Sequence, residues 1–208
     1  MKLGDIQGQG GLIQPNEKGV TVFLAGLPEY TEAVSSNGNA YAKINFSFRD
    51  ADGNEFNTGM LDPFKFDMSR YEKGAKLLQA NRKDRSEDAK YANMINGNFS
   101  RLKHIFGCFM TDANYKKLDD IDVNGAKDFL EVCEQLYASD LLEMEFQIMI
   151  GYSVKTGYID FPAYGNVISS KYKTRELSPL DPSYNRLTRP DKSPDGERPA
   201  ARTNTNLI

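Results

Sequence analysis

The chain has no tryptophan, one histidine and two cysteines among 208 residues. His104 has no Cys or carboxylate partner at full metal-ligand spacing on its own helix. Cys108, four residues on, would supply a second ligand where a structural zinc takes four. Cys108 and Cys133 fall at apolar positions of helical patterns and read as buried thiols; no disulfide framework surrounds them. No N-terminal apolar run resembles a signal peptide and nothing approaches transmembrane length, so a reducing cytoplasm without membrane contact is expected. Gly8-Gln9-Gly10-Gly11 lacks the preceding strand and the following Lys-Ser/Thr of a phosphate loop. Asp119, Asp120 and Asp122 lack the spacing and terminal Glu of a calcium loop. Asp62 and Asp67 around Lys65 read as a polar strand-to-helix corner. No nucleophile elbow or dinucleotide fingerprint is present, so a protein without catalysis, metal or cofactor is expected. The net charge of −3 excludes a chain that is basic throughout.

Charge is distributed unevenly. Residues 101–147 hold five Lys/Arg against ten Asp/Glu, whereas residues 171–208 hold eight against five. Residues 1–18 are Gly- and Gln-rich and read as a flexible arm. Residues 174–208 are rich in Pro, Arg, Asp, Ser and Asn and read as a disordered tail, too poor in apolar groups to offset chain entropy. Between them, 19–173 is expected to form one domain.

That domain opens with strand pattern over 20–34, interrupted at Gly26-Leu27-Pro28. Asn37-Gly38 marks a turn. A hairpin follows across 39–67. Ala42, Ile44, Phe46 and Phe48 alternate with Tyr41, Lys43, Asn45, Ser47 and Arg49, the period of a half-buried strand. Asp50 to Asn54 is turn chemistry, and Glu55–Leu61 is the returning strand. Helical pattern covers 68–80, then 89–109 with a break at Asn96-Gly97-Asn98, then 124–139. The charged run 81–88 separates the first two. Alternation resumes over 141–152, with strands again at 158–161 and 167–172. Three strands, a helical insertion at about 64–140 and two further strands are the parts of an OB-fold-like five-stranded antiparallel barrel, mainly β with an α insertion between strands 3 and 4.

The polar face of the second strand carries a ring, an amide and two cations: Tyr41, Lys43, Asn45 and Arg49. Rings stack bases, cations neutralise phosphates and amides position either. Asn57 on the third strand lies beside them, and Arg82, Lys83 and Arg85 form a basic loop that could cover a groove. These eight residues are the candidate nucleic-acid contacts. The late aromatics Tyr152, Tyr158, Phe161, Tyr164 and Tyr172 either extend the platform or complete the core.

Gly38-Asn39-Ala40-Tyr41 at the opening of the second strand, Arg101-Leu102 with Ile105 and Gly107 in a mid-chain helix, and the late strand and hairpin resemble OB-fold single-stranded DNA-binding proteins of tailed phages of the crAss-like group. The resemblance spans about 19–165. It implies sequence-nonspecific binding of single-stranded DNA in phage replication or recombination in the host cytoplasm, alongside replication or recombination proteins and with self-association as a further option. The chain departs from many such proteins in lacking an acidic tail with a terminal Phe. The competing expectation is a virion component or adaptor that binds no nucleic acid.

Overall fold

The computed structural model describes residues 11–190 except 35–37, 39, 121, 122, 124 and 163. It is a mixed α+β fold whose strands pair antiparallel and whose helices lie between the fourth and fifth strands. The chain divides into two compact units, one of residues 1–26, 47–58 and 142–208, the other of residues 27–46 and 59–141.

In the first unit β1 (Val20–Leu24) pairs with the end of β3 (Ala40–Arg49) through Phe23–Arg49 and Leu24–Phe48. On its other side β1 pairs with β5 (Phe146–Ile148), which continues to β8 (Ile168–Ser170). A separate three-stranded sheet has β6 (Gly151–Ser153) between β7 (Ile159–Asp160) and β9 (Asn185–Arg186). The turn before β4 (Glu55–Leu61) is fastened by Asp50, whose carboxylate accepts from the backbone N–H groups of Asp52 and Asn54 and from the Asn54 amide. Alternation on β1, β3 and β4 sends Val22, Leu24, Phe48 and Phe56 inward. Phe48 lies 6.1 Å from Phe56, 6.5 Å from Phe146 and 5.9 Å from Phe161, ring centre to ring centre.

Residues 11–18 and 174–190 belong to this unit, which corrects the expected arm and tail over those spans. Ile13 is buried and its N–H donates to Glu55 O, while Leu12 bridges Glu55. Leu180 rests on Gly151 and Ser178 on Gly165, where a Cβ would meet their side chains at 3.0 Å and 2.4 Å. Ser178 and Asn166 exchange backbone and hydroxyl hydrogen bonds, and β9 completes a ladder with β6. A polar segment is ordered here by a few small-residue sockets and backbone pairing, which composition does not register. Residues 1–10 and 191–208 lie outside the described residues.

The late strand also differs from expectation. Residues 141–143 form turns, and strand is confined to Phe146–Ile148 and Gly151–Ser153. Met149 and Ile150 are both buried, and Met149 N–H donates to Val167 O. The alternation is therefore lost there, and Leu142 is exposed.

In the second unit β2 (Glu29–Val34) runs antiparallel to the first part of β3, from Glu29–Asn45 to Val34–Ala40. Four helices follow: α1 (Met68–Ala80), α2 (Glu87–Gly107), α3 (Asp112–Lys117) and α4 (Ala126–Glu134), with a 3₁₀ turn at Leu118–Asp120. Asp67, Ser86 and Thr111 cap α1, α2 and α3 by accepting from backbone N–H groups three residues on. Helix α2 is continuous through Asn96-Gly97-Asn98, which corrects the expected break. Gly97 is exposed with nothing near it, while Ala92, Ile95, Leu102, Ile105 and Phe106 hold the buried face. The core is aromatic: Phe106 lies 5.8 Å from Phe46, 5.6 Å from Phe109 and 5.0 Å from Phe129. Both cysteines are buried thiols, and burial pushes the Cys133 thiol far up. No helix among the described residues is long and apolar enough to cross a membrane.

Candidate functional site

From Tyr41 to Arg49 the residues of β3 alternate accessible and buried, as its sequence period requires. Tyr41, Lys43 and Asn45 project from the accessible face in the second unit. Side chains two residues apart on one face are about 6.5–7 Å apart. Tyr41 is 38% exposed, and the residue directly opposite it on β2 is Ala33, too small to cover the ring. Lys43 stands opposite Thr31, and Asn45 opposite Glu29. The Asn45 amide nitrogen donates to the Thr31 hydroxyl at 2.8 Å, which fixes the amide plane.

Gly59 on β4 completes this arrangement. A Cβ there would lie 2.9 Å from Asn45 Oδ1, 3.0 Å from Lys43 Cδ and 3.3 Å from Ile44 O. Lys43 and Asn45 therefore lie across a strand position that only hydrogen fits without displacement. The nearby Leu61 is 66% exposed and adds an apolar edge. Gly59, Thr31, Ala33 and Leu61 were not among the residues singled out from sequence. A lone glycine inside a strand pattern is the signal of such close approach, and Thr58-Gly59-Met60 carries it.

Arg49 and Asn57 are exposed, but both fall in the first unit, Arg49 paired with Phe23. Arg82, Lys83 and Arg85 are exposed on the loop between α1 and α2. That loop is built by its own acids and amides. The Asn81 side chain accepts from Lys83 N–H, and Asp84 accepts from Ser86 N–H at 2.8 Å. Hydrogen bonds from Ser86, side chain first and then backbone, hold the Asp84 carboxyl below its usual range. No hydrogen bond or ion pair among the described residues joins the three cations to β3. Tyr41, Lys43 and Asn45 and the basic loop belong to the second unit, while Arg49 and Asn57, at odd-numbered positions of β3 and β4 like Asn45 and Gly59, are assigned to the first.

The other face of β2 is engaged differently. Tyr30 OH donates to Glu32 at 3.0 Å, and Lys65 pairs with Glu32 at 3.4 Å while lying 6.0 Å from the Tyr30 ring centre. Asp62 accepts from Phe64 N–H and Asp67 caps α1, so the corner uses these carboxylates structurally. Asp122 and the Asp119 side chain lie outside the described residues. Among the described residues no group of three or more His, Cys, Asp or Glu is placed to hold a metal ion. An apolar pocket of about 270 Å³ opens between Phe64, Phe99, Leu102, Leu118, Val123 and Phe129.

Comparison with protein families, curated proteins and solved structures returns no match.

Replacing Gly59 by valine should leave the fold intact, since the site is accessible and a β-branched residue suits a strand. It should displace the Lys43 and Asn45 side chains and loosen the Asn45–Thr31 hydrogen bond. The side-chain amide resonances of Asn45 in an NMR spectrum read this; unchanged resonances would show that the Gly59 notch does not set their position.

Proposed function

We propose that this protein binds single-stranded DNA without sequence preference, through the accessible face of β3, in phage replication or recombination. The observation that carries the reading is the row Tyr41, Lys43, Asn45 on one strand face, with the ring partly exposed and the amide held. Tyr41 offers a stacking surface to any base, worth about 1–3 kcal/mol. Lys43 offers a phosphate contact, and the Asn45 amide a directional hydrogen bond. The Arg82, Lys83 and Arg85 loop supplies non-specific attraction to the backbone.

The strand neighbours support an OB-like barrel as the finer fold. If β1 with β2 counts as one interrupted first strand, the pairings with β3, β3 with β4, β1 with β5 and β6 with β7 follow the order expected of that fold. The Thr58 hydroxyl donates to Asp160 at 2.5 Å, where the third and fifth strands of such a barrel would meet. In that fold the second and third strands carry the oligonucleotide, which here are β3 and β4.

Fluorescence titration with oligo-dT at low salt tests the reading, with saturable binding as the expected result. Tyr41→Ala together with Lys43→Ala should weaken it by about 10- to 100-fold. An absence of binding by the unaltered chain would sink the proposal. The apolar pocket beside α2 favours a second reading, an adaptor that binds a protein partner and no nucleic acid. Association with purified particles in the absence of DNA affinity would support that reading.

A further inference from the structure

The largest aromatic exposure in the described chain is not on β3. Tyr164 is 70% exposed and Tyr184 51%, and their rings pack edge to face at 5.6 Å. Both belong to the first unit. The Tyr184 backbone is hydrogen-bonded on both its N–H and its carbonyl. Tyr184 N–H donates to Asp181 O, and Tyr184 O accepts from Val154 N–H, extending the β6–β9 ladder. Asn166, two residues after Tyr164, is tied to Ser178.

The register sets the neighbours. Arg186 is directly opposite Tyr152, and alternation puts Tyr184 and Arg186 on one side of β9, as it puts Tyr152 and Val154 on one side of β6. One sheet face therefore presents Tyr184, Arg186 and Tyr152, with Tyr164 against Tyr184. Arg186 is exposed, and among the described residues its Nε–H donates to the Pro182 carbonyl at 3.5 Å. The nearby carboxylates are turned to other tasks. Asp181 accepts from Ser183 N–H, and Asp160, opposite the buried Gly151, accepts from Thr58 and Phe161. Residues 171–190 hold five Lys/Arg against two Asp/Glu.

Two water-exposed rings in edge-to-face contact, beside an arginine on a locally basic segment, match what an unpaired nucleic-acid strand offers, π-faces alternating with phosphates. We propose that Tyr164, Tyr184, Arg186 and Tyr152 form a second single-stranded DNA-binding face, carried by the first unit and sharing no residue with the β3 row. This inference rests on the single-strand reading above and adds a second set of contacts to it. Tyr164 and Tyr184 stack bases, and Arg186 neutralises the intervening phosphate.

The test uses the full chain with an oligo-dT carrying 5-iododeoxyuridine. Irradiation should cross-link Tyr164 or Tyr184, located by peptide mapping. Tyr164→Ala with Tyr184→Ala should weaken binding by roughly 10- to 100-fold, and Tyr164→Phe with Tyr184→Phe should restore it, because the ring and not the hydroxyl stacks. Wild-type affinity in the alanine pair, in a chain still weakened by Tyr41→Ala with Lys43→Ala, overturns the second face and leaves the first. An unaltered chain that binds no oligonucleotide removes the reading beneath both. A loss that phenylalanine does not rescue, or an alanine pair that changes self-association and not DNA affinity, overturns stacking here and assigns the rings to packing or to protein contact.

Discussion

Replacing Phe48 by alanine is expected to destabilise the first unit by about 3–5 kcal/mol, the range for deleting a buried phenylalanine ring. Phe48 has no solvent exposure. Its ring meets Phe56 in a stacked arrangement and Phe146 and Phe161 edge-on, so three neighbours lose contact together. Phe56 and Phe161 also meet each other at 5.4 Å, which limits how far the remaining rings can collapse into the void. The comparison is Phe23→Ala on β1. Phe23 is only partly buried, on the opposite side of its strand from Val22 and Leu24, and should cost well under half as much. Urea denaturation followed by tyrosine fluorescence reads both. Equal losses at Phe23 and Phe48 would contradict the assignment of faces.

Gly74→Val should destabilise the α1–α2 hairpin by about 3 kcal/mol, at the upper end of overpacking costs. A Cβ at Gly74 would lie 1.9 Å from the Asp88 carbonyl oxygen, 2.5 Å from its carbon and 2.8 Å from the Ala92 Cβ. Backbone cannot step aside as a side-chain tip can, so the helices must separate. Separation would also strain the polar clasp beside the contact, in which Asp88 pairs with Lys73 at 2.6 Å and with Arg70 at 3.2 Å. Gly97→Ala in α2 makes the opposite prediction. Nothing lies near that position, so the helix should gain about 1 kcal/mol from the removed glycine. Two glycines in one hairpin thus differ in the sign of their response, and thermal denaturation of the pair checks it. Hydrogen exchange should also speed up across α1 in the Gly74 variant and not in the Gly97 variant.

The same contrast shows where sequence is legible. The β3 row and the span of α1 are plain in the sequence, because strand alternation and helical apolar spacing are local patterns. Asn96-Gly97-Asn98 reads as a helix break because low local propensity does not register the buried Ala92, Ile95 and Leu102 that carry α2 through it. Residues 174–190 looked disordered because their anchors, Leu180 on Gly151 and Ser178 on Gly165, are sockets formed by distant glycines. For the same reason Tyr184 was not singled out at all. Of the eight candidate contacts, Tyr41, Lys43 and Asn45 share one face as expected, while Arg49 and Asn57 fall in the other unit. Spacing along a strand gives a side chain's face. It does not give the unit into which the strand's end is packed, nor the glycine across which a lysine lies.

The central claim is that the β3 row meets a single strand through both charge and stacking. Its most direct test is the affinity for oligo-dT measured across a series of salt concentrations, for the unaltered chain and for Tyr41→Ala with Lys43→Ala. The expected result is a linear fall of log affinity with log salt, shallower by about 0.7 in the double variant for the one phosphate contact that Lys43 supplies, together with weaker binding at every salt concentration. A flat salt response, or superimposable lines for the two proteins, would contradict it.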